Sequence, residues 1–201
     1  MAETRIDVIR HGEPVGGRRF RGSGIDDPLS EVGWQQMWAA IPESPPWDRI
    51  ITSPLSRCSD FAYAAGQSLG VPVTTENNLK EIGFGCWEGL TPEAIQKKNG
   101  DDYRRFYEDP VNNRPTGAEP LDIFTRRVWA VYQQLLSDHA GKHVLVVAHA
   151  GVLRVLVAEI LGMPLELVYS RIKTEYASSI SCRAPDADAK KSILVFSGPP
   201  Q

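Results

Sequence analysis

Cysteine is scarce in this chain of 201 residues, which carries thiols only at Cys58, Cys86 and Cys182. They are odd in number, far apart and outside any CxxC or Cys/His spacing, which argues against both a disulfide framework and a zinc site. A reduced, cytoplasmic setting is the expectation. A charge excess is lacking as well. With 22 Lys and Arg against 25 Asp and Glu, the net charge of −3 gives no general pull toward nucleic acid or acidic membranes, so any anion site must be a local cluster of Arg or Lys. Long apolar runs are also missing. No stretch approaches the roughly 18 apolar residues of a membrane span. The opening MAETRIDVIR runs straight into charge, without the apolar core of a signal peptide. The length suits one domain, 1–201, able to bury a core without crosslinks.

What the chain does have is alternation. Ile6 to Ile9, Arg49 to Thr52 and His143 to Ala148 are short and β-branched, as strands buried on both faces of a parallel sheet should be. Between them lie helical patterns: Ser30 as N-cap before EVGWQQMWAAI, and Leu55 to Leu69 up to Gly70. Val71 to Thr75 reads as a strand at or near an edge, because Pro72 cannot donate to a ladder. The stretch 90–117 is polar and turn-rich, with Thr91-Pro92 starting one short helix, and is expected as a cap-like insertion. Helices follow over Leu121 to Asp138 and Val152 to Leu161, and final strands over Ser178 to Arg183 and Ser192 to Phe196. The expected fold is α/β: a three-layer α/β/α sandwich, mainly parallel, with a small helical insertion over the carboxyl edge of its sheet.

Open α/β sheets bind ligands past the carboxyl ends of their strands. The three strands run into Arg10-His11-Gly12-Glu13, Ser53-Pro54-Leu55-Ser56-Arg57 and His149-Ala150-Gly151. If these strands are parallel neighbours, two Arg and two His share one edge. Guanidiniums bind phosphoryl oxygens by paired hydrogen bonds, and a neutral imidazole can attack phosphorus. Such a cluster is an anion site.

Together with Glu81-Ile82-Gly83-Phe84-Gly85-Cys86-Trp87-Glu88-Gly89, these motifs resemble the histidine phosphatases, or phosphoglycerate mutase-like superfamily, in the expected order and over nearly the whole chain. Within it, Gly22-Ser23, Asp27 to Ser30 and Thr116 to Pro120 look closest to alpha-ribazole phosphatases, which makes alpha-ribazole 5'-phosphate one candidate substrate. The resemblance implies a phosphomonoester hydrolase of the histidine acid phosphatase type, acting on a small phosphorylated metabolite through phosphohistidine. His11 would be the nucleophile and Glu81 the acid and base. Arg10, Arg57 and His149 would surround the phosphoryl oxygens, with no metal and no other cofactor. Gly17 stands where many members carry Asn, so a backbone N–H of the Gly16-Gly17 turn is expected to help hold phosphate. Ala150 stands where Gly is commoner and offers its N–H at a helix N-terminus. A mutase-type phosphoryl transferase and a non-catalytic phosphate binder are the alternatives.

Other residues read more plainly. Glu88 competes with Glu81 as the acid but is expected to be a solvated loop carboxylate, and His139 and His143 ordinary surface histidines. Arg18, Arg19 and Arg21 form a basic patch that either faces water or grips a second anionic group. Trp34, Trp38, Trp47 and Trp129 are expected in the core, with Trp87 at the leaving-group pocket. Apolar residues between Val168 and Ile180 are either core or the edge of a homodimer.

Overall fold

The structure is a computed structural model and describes residues 3–195. Strand β1 spans Thr4–Arg10, followed by helix α1 (Glu31–Ala39), β2 (Arg49–Thr52), α2 (Ser56–Leu69) and β3 (Val73–Thr75). After them come α3 (Pro92–Glu108), α4 (Leu121–Asp138), β4 (His143–Ala148), α5 (Ala150–Leu161), the short α6 (Val168–Arg171), β5 (Ser179–Ala184) and β6 (Ile193–Val195). The strands form one sheet in the order β3-β2-β4-β1-β5-β6. β1, β2, β3 and β4 run parallel, while β5 pairs antiparallel with both β1 and β6. β3 lies at the edge, where Pro72 just before it costs no ladder bond.

Side chains alternate across the pleat and so feed two cores. Ile6, Val8, Ile51, Val144 and Val146 pack toward α4 and α5 with Phe124, Val128 and Leu153. Ile9, Ile50, Leu145 and Val147 pack on the other face with Met37 of α1 and Phe61 and Ala65 of α2. Helices on both faces of a mainly parallel sheet make the expected α/β sandwich.

Local chemistry sets the helix ends. The Ser30 hydroxyl accepts the Gly33 N–H at the start of α1, and Gly70 ends α2 with φ 67°. The insertion differs from expectation. In place of one short helix, Thr91 caps a 17-residue α3 that kinks at Asn99. Only Pro92, Ile95 and Phe106 of it are buried, too few to write a clear apolar stripe into its sequence. α5 begins two residues earlier than expected, which makes His149 its N-cap. Val168 and Ile180 belong to the core. The expected final strand reaches Phe196, which lies outside the described residues. No helix among the described residues is long and apolar enough to cross a membrane.

Candidate active site

Register brings the motifs together. Arg10 of β1 is level with Ala148 of β4, and Thr52 of β2 with Val147. The ladder continues one residue further: His11 N–H donates to Ala148 O and Ser53 N–H to Val147 O, both at 3.0 Å. His11, Ser53 and His149 therefore leave three adjacent strands side by side. A Cβ on Gly12 would run into the Gly33 carbonyl, and one on Gly33 into the Glu13 carbonyl. The loop after His11 thus rests main chain to main chain on α1.

His11 is buried, and its Nδ1 lies 2.7 Å from Gly12 O. A carbonyl only accepts, so Nδ1 carries the proton and Nε2 keeps its lone pair. Burial, with the nearby Arg10 and Arg57 guanidiniums, holds this imidazole well below its ordinary pKa of 6.5. The His149 ring meets it edge-on, centroids 5.3 Å apart. His149 is wholly enclosed, with Nε2 2.7 Å from Ser53 Oγ and Cys58 Sγ against the ring. Burial and the positive charge of Arg57 push its pKa well below 6.5 too, so near neutrality it adds no imidazolium to the site.

The two arginines are held by backbone carbonyls. Arg57, 1% exposed, donates through its terminal nitrogens to Ile25 O and Gly22 O, both at 2.8 Å. Arg10 donates to Thr174 O at 2.6 Å and stacks over Tyr176, 4.1 Å from the ring centre. In both, the buried Nε has no partner among the described residues. Buried guanidinium N–H groups are costly to leave unpaired, and two of them beside one cavity are what an oxyanion would satisfy.

That cavity, of about 470 Å³, is lined by Arg10, His11, Arg57, Glu81, Ala150 and Gly151. Phe20, Phe84, Tyr107, Tyr169 and Tyr176 add aromatic surface, and Arg18, Arg19, Arg21, Arg154 and Lys173 add cations. Glu81 is 8% exposed, and its carboxylate accepts the Ile82 and Gly151 N–H groups. Arg127 braces this segment, pairing with Glu119 at 2.8 Å while donating to the Asn78, Lys80 and Glu81 carbonyls.

Several expectations need correction. Gly17 is not on the cavity lining, because its N–H donates within the turn to Pro14 O. His149 does not line it either; Ala150 and Gly151 do. Glu88 lies outside, with Oε1 accepting the Phe84 N–H. Trp87 packs against Phe20, Tyr103 and Phe106 instead of lining the pocket. Trp38 is 40% exposed, packed edge-on against Phe61. His143 is half-buried at 2.7 Å from Asp7, which also accepts the Trp47 N–H. Arg21 is buried and paired with Asp27. Arg154, Tyr107 and Tyr169 were not foreseen, although Arg154 follows Ala150 by four residues, one turn along the same helix face. Among the described residues no three His, Cys, Asp or Glu are grouped to hold a metal ion.

An α/β protein with paired imidazoles and carbonyl-anchored guanidiniums at the carboxyl edge of its sheet is built to hold an oxyanion. The chain belongs to the histidine phosphatase superfamily (branch 1), whose family model matches residues 6–191. Phosphoserine phosphatase 1 of Hydrogenobacter thermophilus is 30% identical over 173 residues, 83% of this chain and 81% of that one. The adenosylcobalamin/alpha-ribazole phosphatase of Salmonella typhimurium is 30% identical over 163 residues, 80% of this chain and 81% of that one. A bifunctional protein of Mycobacterium tuberculosis is 33% identical over 157 residues, yet the match covers 76% of this chain and only 43% of that relative. Bacillus stearothermophilus YhfR superposes with a TM-score of 0.87 at 26% identity, covering 98% of each chain.

Proposed function

We propose that this chain is a metal-independent phosphomonoesterase that hydrolyses a small phosphorylated metabolite through a phosphohistidine on His11. The observation that carries the reading is the state of that imidazole: Nδ1 is tied to Gly12 O, and burial beside Arg10 and Arg57 keeps Nε2 unprotonated. Nε2 attacks phosphorus, and the ester P–O bond breaks as Glu81 gives its proton to the leaving alkoxide. Glu81 then takes a proton from water. The hydroxide attacks phosphorus, the P–N bond breaks, and inorganic phosphate leaves with His11 restored. Arg10 and Arg57 match the charge that spreads over the equatorial oxygens, the task a metal ion performs in many phosphoryl transferases. Ala150 supports the phosphoryl group from the start of α5. His149 acts as a positioning residue, backing His11 and held in turn by Ser53.

The named relatives act on phosphoserine and on alpha-ribazole esters, leaving groups of unlike shape, so the shared element is the phosphoester. The test is hydrolysis of p-nitrophenyl phosphate in EDTA, with acid quenching to trap an acid-labile phosphoenzyme. Turnover with label on His11, lost in His11→Ala, is the expected result. No turnover, or turnover only with added divalent metal, overturns it. Isomerisation of 3-phosphoglycerate without release of phosphate points to a mutase instead.

A further inference from the structure

The cavity holds more positive charge than one phosphoryl group needs. Seven cationic side chains and two carboxylates, Glu81 and Glu175, line it in a chain whose net charge is −3. A phosphomonoester brings about two negative charges near neutrality, which Arg10 and Arg57 match. Arg21 is already paired with Asp27. Arg18, Arg19, Arg154 and Lys173 remain; Arg18 lies near Glu93, and among the described residues Arg19, Arg154 and Lys173 form no salt bridge with a carboxylate. Among the described residues, exposed Glu175 is the only acid besides Glu81 on the cavity lining.

These cations are placed and partly held. Arg154 is anchored through Nε to Ile172 O at 3.1 Å and lies over the Tyr169 ring at 4.9 Å, and among the described residues its two terminal nitrogens make no hydrogen bond, which leaves them for a ligand. It follows Ala150 on α5 by one turn, roughly 6 Å along the axis. Arg19 donates to Gly16 O at 2.9 Å, while its buried Nε has no partner among the described residues. Thr174, next to Lys173, likewise has a buried hydroxyl without a partner among the described residues, and it too lines the cavity. Holding several like charges together without an anion is unfavourable, and buried polar atoms are rarely left unpaired.

From this arrangement we infer that the cavity has a second anion subsite, formed by Arg154, Lys173 and Arg19 about one helical turn from the phosphoryl cradle. The favoured substrates carry a carboxylate or second phosphate a few bonds from the ester. The inference rests on the phosphatase reading above and names its substrate class.

Matched esters test it. O-Phosphoserine is compared with O-phosphoethanolamine, and 3-phosphoglycerate with glycerol 3-phosphate, each pair differing in one carboxylate. The expected kcat/KM ratio in favour of the carboxylate-bearing ester is about tenfold to a hundredfold, the range of one or two charge-assisted hydrogen bonds. It should be expressed mainly in KM and shrink as salt is raised. Arg154→Gln and Lys173→Ala should each reduce the ratio severalfold, and Arg154→Lys should keep part of it. The ratio is internal to each preparation, so a poorly folded variant does not imitate the effect. Ratios near one in protein that turns over p-nitrophenyl phosphate overturn the subsite and leave the phosphatase reading intact. No hydrolysis of any ester withdraws both.

Discussion

The backbone N–H of Gly151 reaches both carboxylate oxygens of Glu81, at 3.2 and 3.3 Å. The first turn of α5 thereby orients the Glu81 carboxylate from one side of the cavity, which Ala150 also lines. A Cβ on Gly151 would run into Glu81 Oε1 and stand 3.2 Å from Phe124 Cζ. Gly151→Ala is therefore expected to displace the acid, cutting kcat at least tenfold for alkyl phosphates and much less for p-nitrophenyl phosphate. Equal losses on both would show that Gly151 serves some purpose other than setting Glu81.

Glu81→Gln tests the proton itself. The amide keeps the shape and removes the acid, so esters with poor leaving groups should slow by about a hundredfold or more, while p-nitrophenolate, which scarcely needs a proton, suffers far less. Glu88→Gln should leave that contrast as it is, because Glu88 lies outside the cavity.

Arg57→Ala should cost several kcal/mol at the transition state, on the scale of an oxyanion-hole donor. It also strips donors from the Ile25 and Gly22 carbonyls, so a drop in melting temperature is expected with it. Arg57→Lys restores charge without the fork and should recover only a small part of the rate. Full recovery would mean that charge alone suffices.

Acidification has a determined sign. His11 and His149 are both kept well below 6.5 in the folded chain. Below that pH the unfolded chain binds two protons that the native state refuses, so stability falls as pH drops. The slope approaches about 1.4 kcal/mol per pH unit for each histidine. Urea unfolding between about pH 7.5 and pH 5.5 should show this decline, and His149→Gln should remove close to half of it. An unchanged slope in that variant would mean that His149 titrates normally.

Arg127 offers a structural counterpart. Its removal leaves Glu119 half-buried without its partner and three carbonyls around the acid's segment without a donor. A destabilisation of about 2–3 kcal/mol is expected, readable as a lowered urea midpoint. A loss of kcat for alkyl phosphates should accompany it.

The grouping of the two Arg and two His side chains at one sheet edge was legible in the sequence because they sit at fixed offsets from strands that are easy to read. Arg10, His11, Arg57 and His149 needed only parallel order to converge, whereas Glu81, which follows none of these strands, stood out only through the motif that resembles the family. Charge state was less legible: no motif shows that His149 is fully enclosed beside His11, the burial that lowers its pKa. Gly17 was misplaced because a turn's hydrogen bonds depend on its φ and ψ, which no motif supplies. The far end of the cavity was least legible. Tyr107, Tyr169 and Lys173 come from α3, α6 and the loop after it, whose positions depend on packing between elements distant in sequence. Arg154 alone carried a usable signal, its four-residue spacing from Ala150.

The contact of Gly12 with Gly33 separates what can vary in this protein from what cannot. Because two stretches of main chain touch there with no side chain between, the loop that carries His11 has no adjustable part at that contact. The aromatic and basic residues farther out hang on loops and helix faces that tolerate exchange. A laboratory seeking new substrates for this scaffold should randomise the outer positions freely and leave that glycine pair alone.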